Sequence, residues 1–158
     1  MTEFTHLDDE GNAVMVDVSA KENTKRFATA KGAVLMAPKT LELIKDGRLK
    51  KGDVLSVAQL AGIMAAKKTS ELVPLCHPLG LSSVKVDLNC DLKTSSVNIT
   101  ATCKLTGKTG VEMEALTAVT VSALTVYDMC KSVDRSMQLS DIRLVHKSGG
   151  KSGVYKSD

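Results

Sequence analysis

Residues 84–92, VKVDLNCDL, and 97–105, VNITATCKL, each alternate apolar and polar side chains without a break. In extended chain every second side chain lies on the same face, so each stretch predicts a strand with one face buried. With 93–96 as the turn between them, they predict an antiparallel hairpin. Pairing Leu92 with Val97 sets Cys103 opposite Val86 and leaves Cys90 about 13 Å further along. That exceeds the roughly 7 Å reach of a disulfide, so both thiols are predicted to be reduced core residues.

Outward from the hairpin, the pattern predicts a strand at 14–18, a second extended segment from Arg26 through Ala33, Val34, Leu35 and Met36, and a short helix at 38–45. A longer helix is predicted over 53–67, with Asp53 as its cap and Val57, Leu60, Ala61 and Met64 on one stripe. A third helix is predicted over 111–134 and a last strand over 142–146. From Arg26 onward the order is strand, helix, strand, strand, helix, strand. This predicts an α+β fold: a ferredoxin-like antiparallel sheet with helices packed on one face. Residues 1–158 read as one domain, with a flexible Gly/Ser/Lys tail, KSGGKSGVYKSD, from about 147.

With 158 residues and 43% hydrophobic content, the chain can bury a sizeable core. A net charge of +3 and 3% aromatic residues suit a local anion site rather than a nucleic-acid surface, which needs a strong basic field and stacking rings. The first ten residues lack the basic start and apolar core of a secretory leader, and the longest charge-free stretch, 115–127, is too short to cross a bilayer. A cytoplasmic, soluble protein is expected. Cysteines at 76, 90, 103 and 130 show no C-x-x-C spacing, and His77 has no partner at metal-ligand spacing.

Reactive side chains concentrate in AKKTSELVPLCHPL at 66–79, where Lys67, Lys68, Glu71, Cys76 and His77 lie between or beside two prolines that fix the backbone. Lysines at a helix end complement its dipole, and that alone is a sufficient reason for Lys67 and Lys68. GKT at 107–109 and GKS at 150–152 resemble the end of a phosphate-binding P-loop, but the first glycine of that motif is replaced by Thr102 and Val145. Glu112 and Glu114 open the third helix, where carboxylates favour the dipole; two residues apart, they point in different directions. Asp128 and Lys131 are neighbours on one face. A surface salt bridge accounts for the pair, and so does proton transfer by a partly buried lysine oriented by the carboxylate.

MVDVSAK at 15–21, AAKKTSELVPLCHPL at 65–79, GKTGVEMEALTA at 107–118, YDMCK at 127–131 and KSGGKSG at 147–153 together resemble the molybdenum cofactor biosynthesis protein C family, the cyclic pyranopterin monophosphate synthases. The resemblance covers nearly the whole chain, in order. It implies a lyase that takes a GTP derivative cyclised between ribose and purine by an upstream radical cyclase, forms a cyclic pyranopterin monophosphate and releases pyrophosphate. It also implies a ferredoxin-like fold in a homohexamer, a trimer of dimers, with each site at a subunit interface.

By position, the resemblance makes Leu75, Cys76, His77, Met113 and Glu114 substrate-binding residues and Asp128 the active-site residue. Lys51, Lys67, Lys131 and Lys147 correspond to active-site lysines, with Arg26, Lys68 and Glu112 as further members of the pocket. Asp128, Lys131 and Lys51 are the catalytic candidates. No cofactor is firmly implied; magnesium is expected only with the substrate phosphates. A small anion- or RNA-binding module and a structural oligomerisation domain are the rival readings, separated from an enzyme by turnover. The scatter of the basic residues leads to the expectation that Lys51 and Lys131 reach one site from different chains.

Overall fold

A computed structural model of the chain describes residues 6–157. Residues 1–5, half of the stretch read for a leader, lie outside the described residues. The elements are β1 (Thr24–Leu35), α1 (Pro38–Lys45), α2 (Val54–Ala66), α3 (Thr69–Leu72), β2 (Ser83–Asp91), β3 (Ser96–Gly107), α4 (Glu112–Cys130), β4 (Gln138–Ser148) and β5 (Tyr155–Lys156). The sheet runs β2-β3-β1-β4-β5 with every pairing antiparallel. Its first four strands have the ferredoxin-like order, and β5, from the C-terminal segment, adds an edge.

One face of the sheet carries the core. On β1 the inward side chains are Ala28, Ala30 and Val34, all buried, and between them Gly32 lies so near α4 that a Cβ would stand 2.7 Å from Val119. Small residues at the centre of β1 therefore let α4 sit directly on the sheet. On β3 the inward set is Val97, Ile99, Ala101, Cys103 and Leu105.

The hairpin forms as predicted in type, with a corrected register. Cys103 pairs with Val84 rather than Val86, because the connection is 92–95 and Asp91 meets Ser96. A slip of two residues keeps every side chain on its face, but Cys90 is half-buried rather than a core residue and Leu92 lies exposed in the turn; all four cysteines are free.

α2 begins at Asp53, whose carboxylate accepts from the Ser56 backbone N–H at 3.0 Å. It packs antiparallel against α4 at very short range. A Cβ on Gly62 would stand 2.2 Å from Ser122 Oγ and 2.9 Å from the Ala118 carbonyl, and Ser122 Oγ donates to the Ala58 carbonyl at 3.0 Å. Ala58, Gly62, Ala65 and Ala66 form the buried side of α2. The stripe of Val57, Leu60 and Met64 faces outward instead, with Leu60 61% exposed. Two helices this close admit only small side chains between them, so the larger apolar residues are turned away from the core.

The segment at 14–18 is not a strand: among the described residues before β1 the only ladder contact is an isolated bridge from Leu7 to Ala13. α4 stops at Cys130 rather than 134, where Asp134 turns back to hold the start of α1. Its carboxylate accepts from the Ala37 N–H at 2.9 Å and the Thr40 hydroxyl at 3.1 Å, supplying a cap from outside the helix. β4 is longer than predicted and extends to Ser148.

Candidate active site

Antiparallel packing of α2 on α4 divides the candidate residues between two ends. At the C-terminal end of α4, Lys131 Nζ lies 2.6 Å from Asp128 Oδ1. Lys51, just before α2, places its Nζ 3.5 Å from Asp128 Oδ2 and donates to the Asp128 carbonyl at 2.9 Å. The lysine that a different chain was expected to contribute thus belongs to the same chain's cluster: Lys51 and Lys131 grip one carboxylate. Hydrogen bonding and charge from Lys131, with the charge of Lys51, hold the Asp128 carboxyl below the usual carboxylate range. The partly buried lysine of the sequence reading is instead half exposed, at 53% of its side chain. An open hollow of about 590 Å³ adjoins the cluster, lined by Leu124, Thr125, Tyr127, Asp128 and Lys131.

The second group gathers at the N-terminal end of α4. Glu112 Oε1 lies 3.5 Å from Lys147 Nζ on β4. Arg26 on β1 donates from Nε to the Gly107 carbonyl at 3.2 Å and from Nη2 to the Lys108 carbonyl at 3.0 Å. Glu112 and Glu114 diverge, as their spacing requires: Glu112 lines a cavity of about 810 Å³ together with Arg26, whereas Glu114 is 4% exposed. Burial raises the Glu114 carboxyl above its ordinary range, and the neighbouring charge of Glu112 adds to this. Burial likewise raises the Cys76 thiol, followed by the charge of Glu114, and Met113 lies at the surface. His77 Nε2 donates to the Val16 carbonyl at 2.7 Å, so the ring ties down the segment before β1. Lys67 caps the end of α2 and Lys68 follows it, both exposed and both directed by the helix pairing toward this same end.

A 19-residue α4 is about 28 Å long. One chain therefore holds Lys51, Asp128 and Lys131 at one end, and Arg26, Lys67, Lys68, Glu112, Glu114 and Lys147 at the other. Between them runs a surface of Leu60, Met64 and Leu124, all more than half exposed, with no charge on α4 from Ala115 to Tyr127. The sequence does not place Thr24 or Thr109 in a site, yet both line the 810 Å³ cavity, together with Lys151 of the tail. The available signal was the pair of Gly-Lys-Thr/Ser tripeptides. Among the described residues no three His, Cys, Asp or Glu side chains gather as a metal-binding group.

Comparison with known proteins matches residues 15–150 to the MoaC family. The cyclic pyranopterin monophosphate synthase of Rhodospirillum rubrum is 66% identical over 152 residues, 96% of this chain and 92% of that protein. Those of Dinoroseobacter shibae and Roseiflexus sp. are 60% and 58% identical over 158 residues, the full length of both proteins in each case. With the match reaching from before β1 to the glycines after β4, and relatives this similar along the whole sequence, the chain belongs to the MoaC family.

Proposed function

We propose that this protein is a lyase of molybdenum cofactor biosynthesis that converts 3',8-cyclo-7,8-dihydro-GTP to cyclic pyranopterin monophosphate and pyrophosphate. The observation that carries this reading is the Lys51–Asp128–Lys131 cluster in a chain 66% identical to a synthase of that name. In the closing step a substrate hydroxyl attacks the phosphorus nearest the sugar, the bond from that phosphorus to its bridging oxygen breaks, and the electron pair leaves with pyrophosphate. Asp128, ionised at neutral pH, accepts or orients a proton, and Lys131 and Lys51 neutralise developing charge. Leu75, Cys76, His77, Met113 and Glu114 hold the heterocycle; Arg26, Lys67, Lys68, Glu112 and Lys147 form the phosphate end. Magnesium enters only as part of the substrate, as a counter-ion to its phosphates.

The site is shared between subunits of a homohexamer, a trimer of dimers. Two ends about 28 Å apart do not close on one small substrate within a chain. The exposed apolar surface between them is of the kind that oligomers cover. A twofold axis near the middle of α4 lays this surface on its own copy and brings the Asp128 end of one chain to the Glu112 end of the other. The substrate is supplied by a radical GTP cyclase, and the setting is the cytoplasm, where four unpaired thiols stay reduced. Incubation with the cyclised GTP derivative should release one pyrophosphate per turnover and leave a pterin that fluoresces after oxidation. Absence of both products from the folded protein overturns the assignment.

A further inference from the structure

The start of α1 is held from outside. In a capping box a Ser or Thr at the N-cap position and a Glu three residues on satisfy the first turn from within the helix. Here those positions hold Ala37 and Thr40, and both donate instead to Asp134, 97 residues beyond Ala37 in the turn that follows α4. Asp134 Oδ2 accepts from the Ala37 N–H at 2.9 Å and the buried Thr40 hydroxyl at 3.1 Å. Its Oδ1 accepts from the Ser136 N–H at 2.9 Å and the Ser136 hydroxyl at 2.7 Å. A local cap would stabilise α1 equally well, but this one also fixes α1 against the end of α4.

The two segments joined at Asp134 are those that carry the lysines of the Asp128 cluster. Lys131 is the C-cap of α4, three residues before Asp134, and the Val133 and Asp134 N–H groups donate back to the Cys130 carbonyl at 2.9 and 3.1 Å. The Tyr127 hydroxyl donates to the Arg135 carbonyl at 3.2 Å, closing this turn onto the helix that bears Asp128. On the other side α1 passes into the segment 46–52, which ends on Lys51 and Gly52. Its backbone is bonded along its length: Gly47 N–H to the Ile44 carbonyl, Arg48 N–H to the Leu43 carbonyl and Gly52 N–H to the Leu49 carbonyl, each at 3.1 Å. Lys51 therefore follows α1 through a hydrogen-bonded connection. Both lysine side chains are about half exposed, at 47% and 53%, and an ion pair so open to solvent has little force of its own to hold a geometry. The backbones on which they stand must set it.

We infer that Asp134 is a positioning residue for the reaction: by joining α1 to the turn after α4, it sets the distances at which Lys51 and Lys131 hold Asp128. This rests on the function proposed above, but one of its tests needs no turnover. In trace acylation of the full-length protein read by peptide mass spectrometry, Asp134→Asn should label Lys51 and Lys131 at least about twofold faster than the parent does, relative to Lys93 on the hairpin turn. An amine released from a carboxylate gives up its proton more readily. In turnover of the cyclised nucleotide, Asp134→Asn should lower kcat by about 10- to 100-fold with KM within about twofold, the scale of loss for groups misplaced by about 1 Å. Thr40→Val, which removes one donor to Asp134 far from the substrate, should act in the same direction by less. On a Lys131→Ala background Asp134→Asn should cost at most about threefold more, whereas a purely structural role would multiply the two losses in full. Val86→Ala, a core truncation on β2, should lower the melting temperature and leave labelling and kcat near those of the parent. Unchanged labelling and kcat in folded Asp134→Asn, or its full loss repeated on Lys131→Ala, overturns the inference. Should Asp134→Asn not fold, Thr40→Val and Ser136→Ala carry the same comparisons, and no change in either overturns it equally. A parent that does not turn over the nucleotide overturns the reaction, and the labelling then decides the positioning alone.

Discussion

Lys131 Nζ lies 2.6 Å from Asp128 Oδ1, one turn back along α4, and Lys51 closes on the same carboxylate from the segment before α2. An ion pair this exposed adds little to folding, since solvent screens it and both side chains lose freedom. It lies beside the hollow lined by Tyr127 and Leu124, where the proposed reaction gives it a chemical use.

Lys131→Ala should therefore abolish turnover without unfolding the chain. A loss of about 10²- to 10⁴-fold in kcat is expected for one acid–base or charge-stabilising group, with a melting temperature close to that of the parent. Steady-state kinetics beside a thermal melt measure both, and near-normal turnover removes Lys131 from the machinery.

Mixed oligomers discriminate the shared site. Lys67→Ala and Lys131→Ala subunits, each inactive alone, should regain partial activity after subunit exchange, because some interfaces then contain one intact site. Lys51→Ala mixed with Lys131→Ala should stay inactive, since both lysines serve Asp128 of one chain. Recovery by the second pair and not the first would reverse the division between the two ends.

Leu60 on α2 is 61% exposed within the chain. Leu60→Glu should leave the circular dichroism of the fold intact while shifting sedimentation from the proposed hexamer to smaller species, as a charge is costly in a covered apolar interface. An unchanged sedimentation coefficient would place the interface elsewhere.

Asp134 supplies the acid sensitivity. Hydrogen bonds from Ala37 N–H first, then from Ser136 and Thr40, lower its carboxyl from 3.8 to about 2. A folded-state value below the unfolded one means stability that is present above about pH 4 and lost as pH falls toward 2, worth about 2 kcal/mol. Urea midpoints followed through this range should fall in the parent and fall less in Asp134→Asn, which should also be less stable than the parent at pH 7. Parallel pH curves for the two proteins would remove Asp134 as the cause.

All four thiols should react in denaturant without prior reduction. In the native protein Cys76 and Cys90, both partly exposed, should be modified before Cys103 and Cys130, whose burial pushes their thiols up to about 12 and about 11. Fewer than four reactive groups in protein kept from oxidants would indicate a disulfide that the hairpin register forbids.

The hairpin was legible because alternation of period two survives error: pairing Cys103 with Val84 instead of Val86 moves the ladder by two residues and changes no face. The chemical residues were legible as types and as ordered segments, since lysines, a lone Asp128 and a Cys-His pair stand out against a chain with little charge nearby. Their grouping was not. Lys51 and Lys67 flank one helix in sequence, but only the antiparallel seating of α2 on α4 sets Lys51 beside Asp128 and sends Lys67 to the Glu112 end.

Which side of α2 is inside was equally beyond periodicity, for that helix is apolar nearly all round. Val57, Leu60 and Met64 form as regular a stripe as Ala58, Gly62 and Ala65. The choice was made by volume: a Cβ on Gly62 would already collide with Ser122 and Ala118, so the small residues face α4 and the large ones are left outside. Periodicity in one segment records that a face is apolar, but the space available to it belongs to the neighbouring helix, and that exists only once the chain has folded.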